Sequence, residues 1–191
     1  YYAHLEPIAA TKSTFINAIM GQMRCQYALE NYALAKQKAI QLLPIEEVPK
    51  EDLVEANMVL GRIQLQDENY RTAKFHFDYV IAESRNELTA EALYQRAFIW
   101  YNQDALDSAR NDIYSLGDDY TAYEYWVVKG FILLGNIYVK EEDYFQAKAT
   151  IQSIIDNYDN EEDGLKEICR AKLKEIDLLE NPDDSIKLEE E

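Results

Sequence analysis

An all-α solenoid of repeated helical hairpins is the fold class that this sequence predicts, and three observations lead to it. First, the composition favours helices, because strong helix formers dominate and the 191 residues include only six glycines and four prolines. Second, a pattern of small, aromatic and aliphatic residues recurs four times along the chain. Third, an amphipathic segment follows the last copy, where a solenoid needs a capping helix.

The four copies align on one position, which holds a small residue in all but the first copy, and three later positions repeat in register. The aligned residues are Met23, Gly61, Ala97 and Gly135; then, nine positions on, Tyr32, Tyr70, Leu106 and Tyr144. Twelve positions on come Ala35, Ala73, Ala109 and Ala147, and sixteen on come Ala39, Phe77, Ile113 and Ile151. The alanines are 38, 36 and 38 residues apart. We therefore predict four helical hairpins, each of which must stack on a neighbour to bury both of its faces.

The helical pattern and its breaks also predict the domain boundaries. The repeats are expected at about 14–44, 52–83, 89–117 and 120–158, after a preceding helix end or linker at 1–13 that Pro7 terminates. Thr11, Ser13 and Thr14 offer caps for the first long helix. A capping helix is expected at 164–180, before a frayed acidic tail at 181–191. Its apolar residues are expected to share one face: Leu165, Ile168, Cys169, Ala171, Leu173, Ile176 and Leu179.

Charge and motifs exclude several function classes. With 36 acidic and 19 basic residues, the net charge of −17 disfavours nucleic acid and anionic lipid as partners. No apolar run reaches the ~20 residues of a membrane span, so direct insertion is not expected. The only cysteines, Cys25 and Cys169, have apolar helical neighbours and are predicted to be buried free thiols. Catalytic motifs are absent and His76 is expected to be a surface or packing residue, so we predict no enzyme, cofactor or metal site.

The repeated pattern resembles the tetratricopeptide repeat (TPR) family. Leu60-Gly61 with Tyr70, Ala73 and Phe77 matches the signature, and so does Leu134-Gly135 with the residues that follow it. The third copy is looser, and the first is the loosest. The resemblance implies a right-handed solenoid. The period exceeds the usual 34 residues, and the run from Ile154 to Tyr158 is similar to repeats of bacterial cell-envelope TPR proteins. That similarity favours a periplasmic or cell-envelope location, with an anchor in a preceding region.

In TPR arrays the first helices line a concave groove, so the resemblance also implies candidate binding residues. Carried over position by position, they are Met58, Arg62, Leu65, Tyr94, Phe98, Tyr101, Asn102, Ile132, Asn136, Val139 and Lys140. This inferred groove is comparatively apolar and aromatic, and Arg24 and Lys129 extend it. We expect a non-enzymatic scaffold that binds a peptide or protein segment there. Two alternatives stay open. The same side chains could pack inside the superhelix, or the chain could be a structural spacer or self-associating segment, which includes a homo-oligomer.

Overall fold

The computed structural model describes residues 2–6 and 11–181, and within these ranges the chain forms helices and no strand. The prediction of an all-α chain is therefore confirmed. The helices, numbered in chain order, are α1 (Tyr2–Leu5), α2 (Lys12–Ala28), α3 (Tyr32–Leu42), α4 (Lys50–Gln66), α5 (Tyr70–Glu83), α6 (Glu87–Asn102), α7 (Leu106–Asp119), α8 (Glu124–Lys140), α9 (Tyr144–Asn157) and α10 (Leu165–Glu180).

The chain divides into two compact units, Tyr1–Gln95 and Arg96–Glu191, with the division inside α6. In the first unit α1 packs on α2, α2 on α3, α3 on α4, and α4 on α5. In the second unit α7 packs on α8, α8 on α9, and α10 mainly on α9. Short connections between neighbouring helices make each such pair antiparallel.

Four turns share one geometry, and each joins a longer helix to a shorter one. Residues Glu30, Glu68, Asp104 and Glu142 have φ between 56 and 62°, in the left-handed region. The next amide donates to a carbonyl five residues earlier, as from Asn31 to Gln26 (2.8 Å) and from Asp143 to Tyr138 (2.9 Å). This is the Schellman arrangement that satisfies the last carbonyls of a helix. The turns recur with the same 38, 36 and 38 residue spacing as the alanines.

Small residues bring the two helices of a pair together. A Cβ added to Gly61 on α4 would lie 2.5 Å from Phe77 of α5, and one added to Gly135 on α8 would lie 2.7 Å from Ile151 of α9. The alanine of each copy is fully buried against this seam. The apolar side chains of α2, α3 and α4 form one core in the first unit, and those of α8, α9 and α10 form another in the second.

Ion pairs link successive helix pairs on the side of the shorter helices. A basic residue follows each buried alanine, and three of the four reach an acid about thirty residues ahead. Arg110 of α7 pairs with Glu141 after α8, and Lys148 of α9 pairs with Asp177 and Glu180 of α10 at 2.5 Å each. The acidic residues near the end of α10 thus bond to Lys148 as Glu141, in the turn after α8, bonds to Arg110.

The sequence prediction that Cys25 is buried is wrong. Cys169 is buried and free as expected, but Cys25 is free and exposed. The equivalent Ile63 is buried because it packs into the core shared with α2 and α3. Only the four-residue α1 precedes α2 in the described part of the chain, and it leaves Cys25 uncovered.

On α10 the buried stripe is narrower than predicted. Leu165, Cys169 and Ile176 are buried, whereas Ile168 and Leu179 are about half exposed (50% and 43%). About half of each of these two side chains is therefore left uncovered by the described residues. The predicted break at Pro7 and all but the first residue of the predicted tail lie outside the described residues. Among the helices of the described ranges, none combines the length and the apolarity that a membrane crossing requires.

Candidate partner-binding surface

The arginines of the predicted groove are held by carboxylates of the next long helix. In the first unit, Arg24 of α2 makes a two-pronged contact with Glu55 of α4, with Nε–Oε1 at 2.7 Å and Nη2–Oε2 at 2.5 Å. Arg62 of α4 contacts Glu91 of α6 in the same way, with Nε–Oε1 at 2.6 Å. Both pairs use the planar fork that matches guanidinium to carboxylate. These charges therefore stabilise the stacking of helices, and they are not available as a cationic site for a ligand.

The two pairs differ in burial, which changes their electrostatics. The side chains of Arg24 and Glu55 are 52% and 31% exposed, while those of Arg62 and Glu91 are 28% and 8% exposed. Burial acts to lower the pKa of Arg62, but the bonds to Glu91 and the charge of that carboxylate outweigh it and raise the pKa. The Arg62 guanidinium also lies 5.8 Å from the centre of the Tyr27 ring. Arg62 is thus fixed by an anion and an aromatic face together.

The other predicted groove residues of the first unit differ in access. Met58 is fully buried (0% exposed), so its side chain belongs to the core and offers no contact surface. Leu65 and Tyr94 are half-buried. Since Met58 is buried and Arg62 is engaged by Glu91, the accessible part of the predicted groove in this unit is small.

In the second unit the ends of α6 and α8 meet. Lys140 of α8 lies 5.0 Å from the centre of the Tyr101 ring of α6, and its ammonium is 2.7 Å from Asp104 in the following turn. The bond to Asp104 raises the pKa of Lys140. These contacts place Tyr101, Asp104 and Lys140 on one surface.

Apolar and amide side chains lie on the same two helices. Ile132 and Val139 are half-buried and pack on the core of α8, α9 and α10, and Phe98 and Asn136 are also half-buried. Asn102 is exposed and donates from Nδ2 to the Phe98 carbonyl at 2.8 Å. Near the start of α8, the Lys129 ammonium lies 4.9 Å from the Trp126 ring and 5.3 Å from the Tyr125 ring. We call the residues from α6 and α8 the first-helix surface of the second unit: Phe98, Tyr101, Asn102, Ile132, Asn136, Val139 and Lys140.

Sequence reasoning missed a buried ion pair. Arg96 of α6 contacts Asp112 of α7 with Nε–Oδ2 at 2.8 Å and Nη2–Oδ1 at 2.6 Å, and the Asp112 side chain is 8% exposed. Arg96 takes the place that Leu60 and Leu134 hold in the better-matched copies. A charged residue in an otherwise apolar position, with a carboxylate one helix later, is the signal that could have revealed it. The pair joins α6 to α7, so its role is to stabilise the packing of these two helices.

His76 has a packing role too. It is buried, and its Nδ1 lies 2.8 Å from Oδ1 of Asn57, whose Nδ2 donates to the Leu53 carbonyl. Burial lowers the pKa of His76, with a smaller contribution from the charge of Lys36. In residues 2–6 and 11–181 no cluster of three His, Cys, Asp or Glu side chains is arranged to hold a metal ion.

Comparison with known proteins finds no similar family or structure. No protein-family model matches this chain, and neither curated proteins nor solved structures yield a match.

Proposed function

We propose that the chain is a right-handed solenoid of TPR-like hairpins, with α10 as its capping helix. Three observations support this architecture. The Schellman turns recur with the repeat spacing, and Gly61 and Gly135 meet the residue sixteen positions later. Lys148 also bonds to the end of α10 much as Arg110 bonds to Glu141. Location in a bacterial cell envelope stays a prediction from the sequence.

We further propose that the chain is a non-enzymatic scaffold that binds a peptide or protein segment through its first helices. The observation that carries this proposal is the first-helix surface of the second unit. There Tyr101 and Lys140 lie together, on helices that also carry half-buried apolar and amide side chains. Aromatic residues supply large contact areas at low entropic cost, and amides add directional hydrogen bonds.

The charge pattern restricts the ligand of this surface. Lys140 is bonded to Asp104, so it is a poor receptor for an isolated carboxylate. Half-buried Ile132 and Val139 instead favour an apolar side chain of the ligand. Asn102 and Asn136 can bond to the ligand backbone. The proposed ligand is therefore an extended or helical segment with apolar anchors.

A paired variant tests the scaffold proposal. Tyr101→Ala with Val139→Asp should abolish capture of partners from a native extract of the source cells, because it removes an aromatic anchor and introduces a charge on the first-helix surface. Phe145→Ala is the matched control, since Phe145 is an aromatic residue on α9 that is 76% exposed and outside this surface. Far-UV circular dichroism checks the fold of each variant. Undiminished capture by the double variant would exclude this surface.

A self-associating spacer is the second candidate, because one observation favours it. On α10 the side chains of Ile168, Leu178 and Leu179 are 50%, 41% and 43% exposed, which leaves apolar area that a second copy could cover. Sedimentation velocity on the whole chain distinguishes the two functions. A stable oligomer that Ile168→Asp dissociates would support the spacer, and a monomer at all accessible concentrations would refute it.

A further inference from the structure

The second unit contains an apolar cleft that the predicted groove residues do not line. It lies between the first half of α8 and the second half of α9 and has a volume of about 560 Å³. Val128, Ile154 and Tyr158 are buried beneath it, and Val127 and Phe131 flank it half-buried. We call this the α8–α9 cleft.

Carboxylates mark one end of the cleft. Glu124 is exposed at the start of α8 and lines it. Burial, the hydrogen bond to Asp163 and the negative charges of Asp163 and Glu124 raise the pKa of the Tyr158 hydroxyl to about 12. The negative charges of both carboxylates are therefore felt at the Tyr158 hydroxyl, at one end of the cleft. Among the described residues that line it, none is basic, and the other polar side chains are neutral.

The corresponding clefts of the first unit each contain a lysine of the chain itself. Eleven positions before the small residue of a copy stands Lys12 in the first copy and Lys50 in the second, where the last copy has Glu124. Lys12 pairs with Glu47, and Lys50 pairs with Glu83 at 2.8 Å. Both lysines line smaller clefts, of about 420 and 220 Å³. The α8–α9 cleft is thus the largest of these three. It has a carboxylate, Glu124, where each of the other two has a lysine that pairs with a glutamate of the same chain.

From this reversal we infer that the α8–α9 cleft is a docking site for a protein segment with a lysine or arginine next to a bulky apolar side chain. The apolar residue fills the space above Val128 and Ile154, and the cation pairs with Glu124, as Lys50 pairs with Glu83 within the chain. An uncompensated carboxylate beside an apolar floor makes the site complementary to such a segment. The net charge of −17 also speeds the approach of a basic partner.

A random peptide library displayed on phage tests this inference when it is selected on the whole chain carrying Tyr101→Ala and Val139→Asp, so that the first-helix surface does not compete. Enriched peptides should contain a basic residue beside a leucine, isoleucine or aromatic residue. Synthetic copies should lose about tenfold or more in affinity for Glu124→Lys, because the variant replaces attraction by repulsion. The double variant Glu124→Lys with Asn157→Glu should bind as weakly as Glu124→Lys alone. It is designed to form a lysine–glutamate ion pair across the cleft, as Lys50 and Glu83 do in the first unit. The neutral Glu124→Gln should fall between wild type and Glu124→Lys.

Two controls decide between outcomes. Glu46→Lys makes the same change of charge on an exposed residue of the first unit and should leave the affinity within about twofold. Circular dichroism and thermal melting confirm that each variant folds. Selection of peptides without the basic–apolar pair, or equal binding to Glu124→Lys, would overturn the inference. So would self-association that Glu124→Lys abolishes, because the occupant would then be a second copy of this chain.

Discussion

Four acidic residues of the described chain, each in the turn that follows a long helix, have a left-handed backbone conformation. A non-glycine residue in this region is disfavoured by about 1–2 kcal/mol, because its Cβ approaches the following carbonyl oxygen. Glycine usually takes this place in a Schellman turn, yet here it is Glu30, Glu68, Asp104 or Glu142. The hydrogen bonds of the turn and the packing of both helices stabilise the strained residue.

Relief of this strain gives the first prediction. Glu142→Gly should raise the free energy of unfolding by about 0.5–1 kcal/mol, which is the strain relieved less the added flexibility of the unfolded chain. Glu142→Val should lower it, because a β-branched residue tolerates positive φ least. Urea unfolding measures both. Lys174→Gly within α10 is the control, where glycine should cost about 1 kcal/mol. A loss of stability in Glu142→Gly would contradict the strain argument.

His76 gives a pH dependence with a definite sign. Its pKa is lowered in the folded chain from the usual histidine value of about 6.5, mainly by burial, so the unfolded chain binds the proton more readily. Stability is therefore complete above pH 6.5 and decreases as the pH falls below that value towards the folded pKa. His76→Gln retains a donor for Asn57 and removes the titration. Its chemical-denaturation midpoint should fall less between pH 7 and pH 5 than that of the wild type. Equal slopes in this range would refute the role of His76.

At the scale of helices, the sequence predicts which residues pack between two neighbouring helices, but it does not predict which acidic residue each arginine bonds to. Gly61 and Gly135 are identified in advance because the spacing of small and bulky residues follows from how two helices approach. The bonds from Arg24 to Glu55 and from Arg62 to Glu91 are missed, because they join helices about thirty residues apart. No local pattern specifies that distance. Arg62 is therefore predicted as a groove residue for a ligand, and Arg24 as an extension of that groove, although both are paired in the structure.

Local sequence patterns do not show contacts with distant helices, and this also explains the wrong predictions of burial for Cys25 and Ile168. Periodicity identifies which face of a helix is apolar, and it succeeds for Cys169 and Ile176. Burial also depends on whether another helix covers that face. Cys25 and Ile168 lie where no described helix does so, and no sequence pattern within their own helices could have shown it.

The two arginine pairs give a prediction at this scale, with one pair as control for the other. Glu91→Gln should lower the free energy of unfolding by about 2–4 kcal/mol, because it leaves the half-buried Arg62 without its anion. Glu55→Gln removes the equivalent partner of the more exposed Arg24 and should cost less than about 1 kcal/mol. Urea unfolding at low and high salt measures both. Similar losses for the two variants would show that burial does not set the strength of these pairs.

For the whole molecule, each of the two compact units contains one cysteine, and the two thiols differ in access to solvent. Cys25 is exposed on α2 in the first unit. Cys169 lies on α10 in the second unit and is buried in the core that α10 shares with α8 and α9, and burial raises its pKa to about 11. Since the thiolate is the reactive form, Cys169 should react only when α10 opens.

Thiol labelling with Ellman's reagent therefore measures the opening of α10, with Cys25 as an internal reference. In native protein one thiol should react rapidly and the second slowly. Ile176→Ala, which removes a fully buried contact of α10, should accelerate the slow phase by at least about tenfold, as expected from the cost of such a cavity. The fast phase should not change, because Cys25 is already exposed. Cys25→Ser should remove the fast phase alone and so assign it. An unchanged slow phase in Ile176→Ala would refute the opening of α10 as the step that exposes Cys169.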